Sequence, residues 1–287
     1  MSKLSVTIVI PVLDREGLLP RLFSSLEAVT YRPLEVMLVD NGSKDGSLEL
    51  CNRFARESML PVTVLTEPER GANHARNLGL LSCHTEWVYF FDSDDELSPD
   101  FLDVLAPQAR GCDLVAFPTQ MEIGGKLVRR SLFPSLSPAR QLLSASLNTQ
   151  GMLLRTAFLR QTGGWDERAS VWQDWELGFR LLHRKAEVKW YTARAFHILH
   201  QHNGSITQQT DNVERIQTMK LVLETPGLTS AEQRALYFRS QLLAGQTGED
   251  VHLPLAVSLA TRCVGRLLKL YTRLGLRGAW RMAMLFV

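Results

Sequence analysis

The sequence predicts an α/β fold: a mixed, mainly parallel sheet flanked by helices, with a helical C-terminal extension. Three observations carry this. Short β-branched apolar runs alternate with helix-period segments through roughly the first hundred residues. Acidic clusters stand directly after three of those runs. From about residue 212 to the end only the helical period remains.

Residues 6–10 are a short apolar run rich in β-branched residues, as in a buried strand. Residues 16–29 carry Leu18, Leu19, Leu22, Phe23 and Leu26 at helical spacing. A strand is expected at 34–39, then a helix at 47–57 with Leu48, Leu50, Cys51 and Phe54 inward. A strand at 61–66, a short helix at 72–81 and a strand at 87–91 follow. Repeated βα units with short loops produce a parallel sheet with helices on both faces. Ligands of such sheets sit beyond the carboxyl ends of the strands. That rim would gather Pro11-Val12-Leu13-Asp14, Asp40-Asn41-Gly42-Ser43 and Asp92-Ser93-Asp94-Asp95. Beyond Pro99 the order changes. Residues 113–117 read as a strand, 120–131 as a hairpin turning at Gly124-Gly125, 152–155 as a further strand and 174–185 as an amphipathic helix. A strand-like stretch runs into 196–202.

Composition bounds the function. Of 287 residues, 45% are apolar and 22% charged, as in folded soluble proteins. The formal charge of +2 is too small to point to nucleic acid. Cys51, Cys83, Cys112 and Cys263 lack zinc or redox spacing and read as small buried thiols in a reducing compartment. The N-terminus lacks a basic region and a cleavage site, so no signal peptide is expected. Its apolar run is far too short to span a bilayer. A cytoplasmic active site is the default expectation.

Asp92-Ser93-Asp94-Asp95 follows the apolar strand Trp87-Val88-Tyr89-Phe90-Phe91. Carboxylates crowded at a strand end repel one another unless a cation lies between them. Oxygen ligands suit Mg2+ or Mn2+, which keep open positions for phosphate oxygens. Such an ion would offset the charge of a departing diphosphate. The alternative is a solvated loop whose Asp residues cap the next helix, since Ser98-Pro99-Asp100 also reads as a helix start.

The ordered set of motifs is more specific than any one of them. It comprises Val36-Met37-Leu38-Val39-Asp40-Asn41-Gly42-Ser43-Lys44-Asp45-Gly46-Ser47, Gly71-Ala72-Asn73-His74-Ala75-Arg76-Asn77-Leu78-Gly79 and Phe91-Asp92-Ser93-Asp94-Asp95. Ile8-Val9-Ile10-Pro11-Val12-Leu13-Asp14 precedes them; Gly163-Gly164-Trp165-Asp166-Glu167 and Gln173-Asp174-Trp175-Glu176 follow. Over about residues 4–205 this set resembles the inverting family-two glycosyltransferases with the GT-A fold.

The resemblance implies a nucleotide-sugar-binding and catalytic domain at 1–205 and a helical extension at 206–287. It implies that Pro11, Val12 and Asp14 line the nucleotide pocket and that Asp40 accepts a hydrogen bond from the base. A turn-forming Asp before Asn-Gly is the other reading of Asp40. Asn73 and Arg76 would face the donor, and Asp92 would contact the ribose with Ser93 beside it. Asp94 would hold Mn2+ or Mg2+, and Asp95 would contact the sugar or orient its neighbours. Asp174 takes the place of the general base, which removes the acceptor hydroxyl's proton during a direct displacement. Helix capping is its alternative. Glu176 would assist or bind acceptor. Trp165 and Trp172 either stack on a sugar or pack in the core. His202 is the candidate to complete the metal site.

Two departures from the family pattern stand out. Asn41 replaces a frequent second acid, and Gln173 replaces a frequent Glu before the base, so Asp174 is not tuned by that charge and the pH optimum is expected to differ. No Gln-x-x-Arg-Trp segment of processive synthases is present, so a single sugar addition is expected. The family prior favours a UDP-sugar donor and a glycan or lipid-linked acceptor in surface polysaccharide or glycolipid synthesis. Arg262, Arg266, Lys269, Arg273, Arg277 and Arg281, spaced by three and four, form a basic stripe opposite Val264, Leu267, Leu268, Tyr271 and Leu274. Such a helix lies either on the inner face of a membrane or packed on the domain. A sugar nucleotidyltransferase would show a glycine-rich phosphate loop after the first strand. A non-catalytic partner subunit would have lost the metal or base carboxylates.

Overall fold

A computed structural model describes residues 3–130, 132–200 and 212–287. In chain order the elements are β1 (Val6–Val12), α1 (Leu19–Glu27), β2 (Leu34–Asp40), α2 (Ser47–Glu57), β3 (Val62–Thr66), α3 (Ala72–Ser82), β4 (Trp87–Phe90), α4 (Phe101–Leu105), β5 (Leu114–Ala116), β6 (Thr119–Ile123) and β7 (Lys126–Arg129). Then come α5 (Pro138–Ser144), β8 (Met152–Arg155), α6 (Thr156–Gln161), α7 (Gln173–His183), β9 (Val188–Trp190), β10 (Phe196–His200), α8 (Asn212–Leu223), α9 (Ser230–Thr247), α10 (Leu259–Arg273) and α11 (Ala279–Ala283).

The chain divides into two units. One comprises Met1–Leu132, Leu147–Glu167 and Ala186–Ser205; the other comprises Phe133–Ser146, Arg168–Lys185 and Ile206–Val287. The sequence suggested one joint, between residues 205 and 206. By chain contacts α5 and α7 also belong to the second unit. The cause is their apolar face: Ala139, Leu142, Leu143, Trp175 and Phe179 share a core with the C-terminal helices.

In the first unit the seven-stranded sheet has the order β3-β2-β1-β4-β8-β5-β9. β1 runs parallel to β2 and β4, β2 to β3, and β5 to β9, while β8 is antiparallel to both its neighbours. The mixed, mainly parallel sheet is the one expected. β1, β2 and β4 are almost wholly buried, which is why they read as continuous Val/Ile/Leu runs. A second sheet has the order β10-β6-β7. The β6–β7 hairpin turns at Gly124 and Gly125, both left-handed at φ +57° and +75°, as a two-residue turn matched to strand twist requires.

Helices α1 and α2 meet through Phe23 and Phe54, stacked at 4.1 Å. α3 lies so close to β1 that a Cβ on Gly79 would stand 2.3 Å from Val9 Cγ1. That approach turns Asn73, Ala75, Arg76 and Leu80 inward, so the buried face of α3 is partly polar. Cys51, Cys83 and Cys112 are buried as expected, but Cys263 is exposed because it lies on the outer face of α10.

His197 sits at a register shift in β10 with φ +61°. Its ring is fully buried among Tyr89, Phe91, Phe101 and Phe117. Nδ1 accepts the Ser98 N–H at 3.1 Å, and the His197 N–H donates to Ser98 Oγ at 2.7 Å. Burial pushes its pKa down to about 3.

The second unit is helical. Its core adds Met219 and Val222 from α8, Leu236, Phe238, Leu242 and Leu243 from α9, Leu268 from α10, and Ala279 and Ala283 from α11. α9 opens with a capping box in which Thr229 Oγ1 and Glu232 serve each other's backbone N–H. The basic stripe does not run on one helix. α10 ends at Arg273, a turn containing Gly275 and Gly278 follows, and Arg281 lies on α11.

Because neutral His197 cannot take up a proton until about pH 3, the unfolded chain binds one more proton below its own value near 6.5. Stability contributed by His197 is therefore full above pH 6.5 and declines by up to about 1.4 kcal/mol per pH unit as pH falls toward 3. His197→Asn, which keeps an acceptor and tolerates the left-handed backbone, should flatten this slope in urea melts run from pH 7 to pH 4.5.

Candidate active site

The ends of β1 and β2 are stapled together. Asp14, left-handed at φ +51°, donates its N–H to Ser43 Oγ at 3.1 Å and accepts the Lys44 N–H on Oδ1 at 2.7 Å. The Arg15 N–H donates to Ser47 Oγ at 2.7 Å and the Glu16 N–H to Asp45 Oδ2 at 3.0 Å. These bonds occupy residues 14–16 and start α1 later than the apolar spacing suggested. Asp14 is thus a loop-building carboxylate at the rim. Pro11 is half-buried and Val12 fully buried, so Val12 offers a pocket its backbone rather than its side chain.

Asp40 pairs with Val12 in the sheet and is 1% exposed. Its Oδ2 accepts the N–H groups of Gly42 and Ser43, both at 3.2 Å. Its Oδ1 is buried with no hydrogen-bond partner among the described residues. A buried carboxylate oxygen without a donor costs stability, and such atoms mark places built for something else. Beside it, Asn41 Nδ2 donates to the carbonyls of Glu67 at 3.0 Å and Glu69 at 2.6 Å, and its Oδ1 accepts the Gly71 N–H at 2.8 Å. That explains the amide in place of an acid: a carboxylate could not donate to two carbonyls.

Arg76 connects α3 to the end of β4. Its Nη2 donates to Asp92 Oδ1 at 2.9 Å and Nη1 to Asn73 Oδ1 at 3.0 Å. Its guanidinium lies over the Trp165 ring at 4.7 Å. Trp165 is 2% exposed and meets Phe90 edge-on at 5.3 Å. Of its two expected roles, packing is the one the structure displays; no ring face is open to a sugar. The Gly163-Gly164-Trp165 loop is docked on α3 by Asn77, which accepts the Trp165 N–H at 2.9 Å, and by Asn73, which donates to the Asp166 carbonyl at 2.7 Å.

Within the acidic run, Asp92 and Asp94 keep 35% and 18% of their side chains exposed. Arg15 Nη2 lies 3.9 Å from Asp94 Oδ2, and Arg21 donates to the Asp94 carbonyl. Ser93 is buried. Asp95 is buried too: Gln150 Nε2 donates to one oxygen, and the His200 N–H donates to the other at 2.7 Å. Burial first, then the Asp94 and Asp92 carboxylates, push its pKa up to about 8, against these two donors. Both Asp95 oxygens are thus engaged by donors within the fold. His200 bridges Glu96 and Glu122, each at 2.7 Å.

Asp92 and Asp94 offer hard oxygen donors at the rim, where Mn2+ or Mg2+ is implied. Among the described residues no group of three acidic, His or Cys side chains forms a complete cage. Mg2+-type sites use one or two carboxylates plus substrate phosphates, so this donor set fits. His202 lies outside the described residues.

The remaining expected residues lie in the second unit. Asp174, in the first turn of α7, accepts the Trp175 N–H on Oδ1 at 2.8 Å and is half-buried. Glu176 is 2% exposed and gripped by Arg180 through two bonds of 2.5 and 2.8 Å. Its carboxylate is engaged by this i,i+4 ion pair. Asn41, Asn77, Arg15, Arg21 and Gln150 also build the site, and the sequence pattern does not mark them as doing so. Asn41 and Asn77 stood inside the motifs, but nothing in one sequence shows what an amide bonds.

A model of glycosyl transferase family 2 matches residues 7–161, more than half of the chain. The chain belongs to this family. Glycosyltransferase GlyA of Streptococcus pneumoniae is 32% identical over 100 residues, which are 35% of this chain and 14% of GlyA. GlyG of the same organism is 29% identical over 113 residues, 39% of this chain and 37% of GlyG. The chain therefore spans well under two thirds of either pneumococcal relative. A PGL/p-HBAD biosynthesis glycosyltransferase of Mycobacterium bovis is 26% identical over 193 residues, 64% of this chain and 72% of that protein. S. aureus TarS 1–349 in complex with UDP-GlcNAc aligns with a TM-score of 0.72 at 18% identity, covering 97% of this chain and 90% of that one. The mannosyltransferase PcManGT from Pyrobaculum calidifontis, in complex with GDP-Man and Mn2+, aligns at 0.60 with 17% identity, covering 98% and 83%. Both share the GT-A fold with this family member.

Asn41→Asp, which restores the acid frequent in family two, should destabilise this chain by roughly 2 kcal/mol or more, because two carbonyls lose their donor and face a negative charge. Urea midpoints of the two proteins at pH 7 measure it.

Proposed function

We propose that this chain is an inverting glycosyltransferase. It moves one sugar from a nucleoside diphosphate sugar, UDP-linked, to a hydroxyl of a glycan or lipid-linked acceptor in surface polysaccharide or glycolipid synthesis. The observation that carries the reading is Asp40. Its buried Oδ1, without a partner among the described residues, accepts an N–H from a nucleobase, and uracil presents one imide N–H. The UDP-GlcNAc bound by TarS favours the same base.

In this reading Pro11 and the Val12 backbone line the nucleotide pocket that Asp14 helps to shape. Arg76, held by Asn73, aligns Asp92 for the ribose. Asp94, with His202, would hold Mn2+ or Mg2+, and that ion would supply positive charge for the diphosphate. Asp174 takes the proton of the acceptor hydroxyl. The hydroxyl oxygen then bonds to the anomeric carbon as the bond from that carbon to the phosphate oxygen breaks, and the nucleoside diphosphate leaves with the electron pair. One displacement inverts the centre. A nucleotidyltransferase is disfavoured, because the N–H groups of residues 14–16 that would cradle phosphates are spent on Ser43, Ser47 and Asp45.

No helix among the described residues is long and apolar enough to cross a membrane. α10 packs through Thr261, Gly265 and Leu268, while Leu259, Leu267, Leu270 and Leu274 are exposed beside Arg262, Arg266 and Arg273. Leucine and arginine on one outer face suit the cytoplasmic surface of an anionic membrane, where a lipid-linked acceptor resides.

Nucleoside diphosphate release from UDP-, GDP- and dTDP-sugars, with and without Mn2+, tests the enzyme. One donor should be turned over in a metal-dependent way, and Asp94→Ala should lose about a hundredfold or more. Asp174→Asn should keep donor binding and slow turnover by about a hundredfold or more. No metal-dependent binding of any donor would instead leave a non-catalytic partner subunit. The membrane reading predicts co-sedimentation with vesicles of phosphatidylglycerol and phosphatidylcholine but not with phosphatidylcholine alone. Arg262→Gln with Arg266→Gln should weaken it; equal binding to both vesicles, or none, rejects that surface.

A further inference from the structure

The residue two places before Asp174 is held in an unusual way. Trp172 has a left-handed backbone, φ +52°, which bulky residues rarely adopt. Its half-buried ring packs on Trp175 at 5.4 Å. Two guanidinium groups from different helices lie over this ring, Arg239 of α9 at 4.4 Å and Arg215 of α8 at 5.8 Å from its centroid.

Among the described residues neither arginine has a carboxylate partner. Arg215 Nη1 reaches Asn212 Oδ1 at 3.5 Å, and the Nε atoms of both arginines are buried without a hydrogen-bond partner. Burial first, then the neighbouring Arg215, pull the pKa of Arg239 down to about 10. Two like charges brought together and partly desolvated cost free energy. The Trp172 face offsets only part of that cost. Most other arginines tied down in this fold have a carboxylate or carbonyl, as Arg180 has Glu176 and Arg168 has Glu224. Among the described residues the Arg215–Arg239 pair is given no anion with several acceptor oxygens. The guanidinium fork matches phosphate in this respect.

We propose that Arg215, Arg239 and Trp172 form an oxyanion site that binds a phosphate group of the acceptor. This rests on the reading of Asp174 as the base, since the site's place beside Asp174 in the chain assigns it to the acceptor rather than the donor. A phosphate anchored here sets which acceptor hydroxyl is presented for transfer.

The test is calorimetric titration of the full chain at low ionic strength with inorganic phosphate and with dimethyl phosphate. Wild type should bind at least one of them, and Arg215→Gln and Arg239→Gln should each weaken that binding about tenfold or more. UDP affinity should be unchanged in both variants and unaffected by saturating phosphate probe. Binding of dimethyl phosphate assigns the site to an internal phosphodiester; binding of inorganic phosphate alone assigns it to a terminal monoester. Should Arg239→Gln fail to fold by circular dichroism, Arg215→Gln and Arg239→Lys carry the comparison. No phosphate binding by wild type, equal binding by folded variants, or competition between the phosphate probe and UDP overturns the proposal. Asp174→Asn should bind phosphate as wild type does. A failure of Asp174 as base would appear in turnover alone, and a failure of the oxyanion site in titration alone.

Discussion

Arg76 joins three parts of the first unit. It is a buried cation, and moving such a group out of water costs several kcal/mol unless partners surround it. Asp92, Asn73 and the Trp165 ring supply them. Each partner comes from a different place: the loop after β4, the preceding turn of the same helix, and the Gly-Gly-Trp loop. The approach of α3 to β1 at Gly79 puts the guanidinium where all three can reach it. The ion pair therefore depends on a packing contact between two residues, Gly79 and Val9, that carry no chemistry of their own.

The rim of the sheet obeys one constraint throughout. Buried polar groups are costly to leave unbonded, and many at this rim are bonded, although Arg21 Nε, Arg76 Nε and Trp165 Nε1 have no hydrogen-bond partner among the described residues. Asn41 satisfies the strand-end loop, Ser43, Ser47 and Asp45 satisfy the turn after β1, and Gln150 with the His200 N–H satisfies Asp95. Against that background the atoms left over carry information. Asp40 Oδ1 in the first unit and the two arginine Nε atoms over Trp172 in the second are such atoms. They differ in kind, one being a carboxylate oxygen and the others guanidinium nitrogens.

The two-unit division has the same physical origin. α5 and α7 are short helices in the middle of the sequence, yet their apolar residues belong to the helical core rather than to the sheet. α7 accordingly places Asp174 on the second unit's framework, while the family model ends before it at residue 161.

Much was legible in the residues alone. The βα alternation, the mainly parallel sheet, the hairpin at Gly124-Gly125 and the strand at 152–155 all follow from hydrophobic period and turn chemistry, which are local properties. So does the placing of Asp14, Asp40 and Asp92 at strand ends, because in a parallel sheet chain order dictates which end a loop leaves from. Tertiary structure alone decided what each polar group spends its hydrogen bonds on. Trp165, for which the sequence left stacking and packing open, packs under Arg76, and Glu176 pairs with Arg180. Asn41 looks like a departure and is a three-way tie. Arg215 and Arg239, twenty-four positions apart, meet over one ring. Period and motif report on neighbours within a few residues; partnership across a long loop depends on packing that closes only when the whole chain is folded.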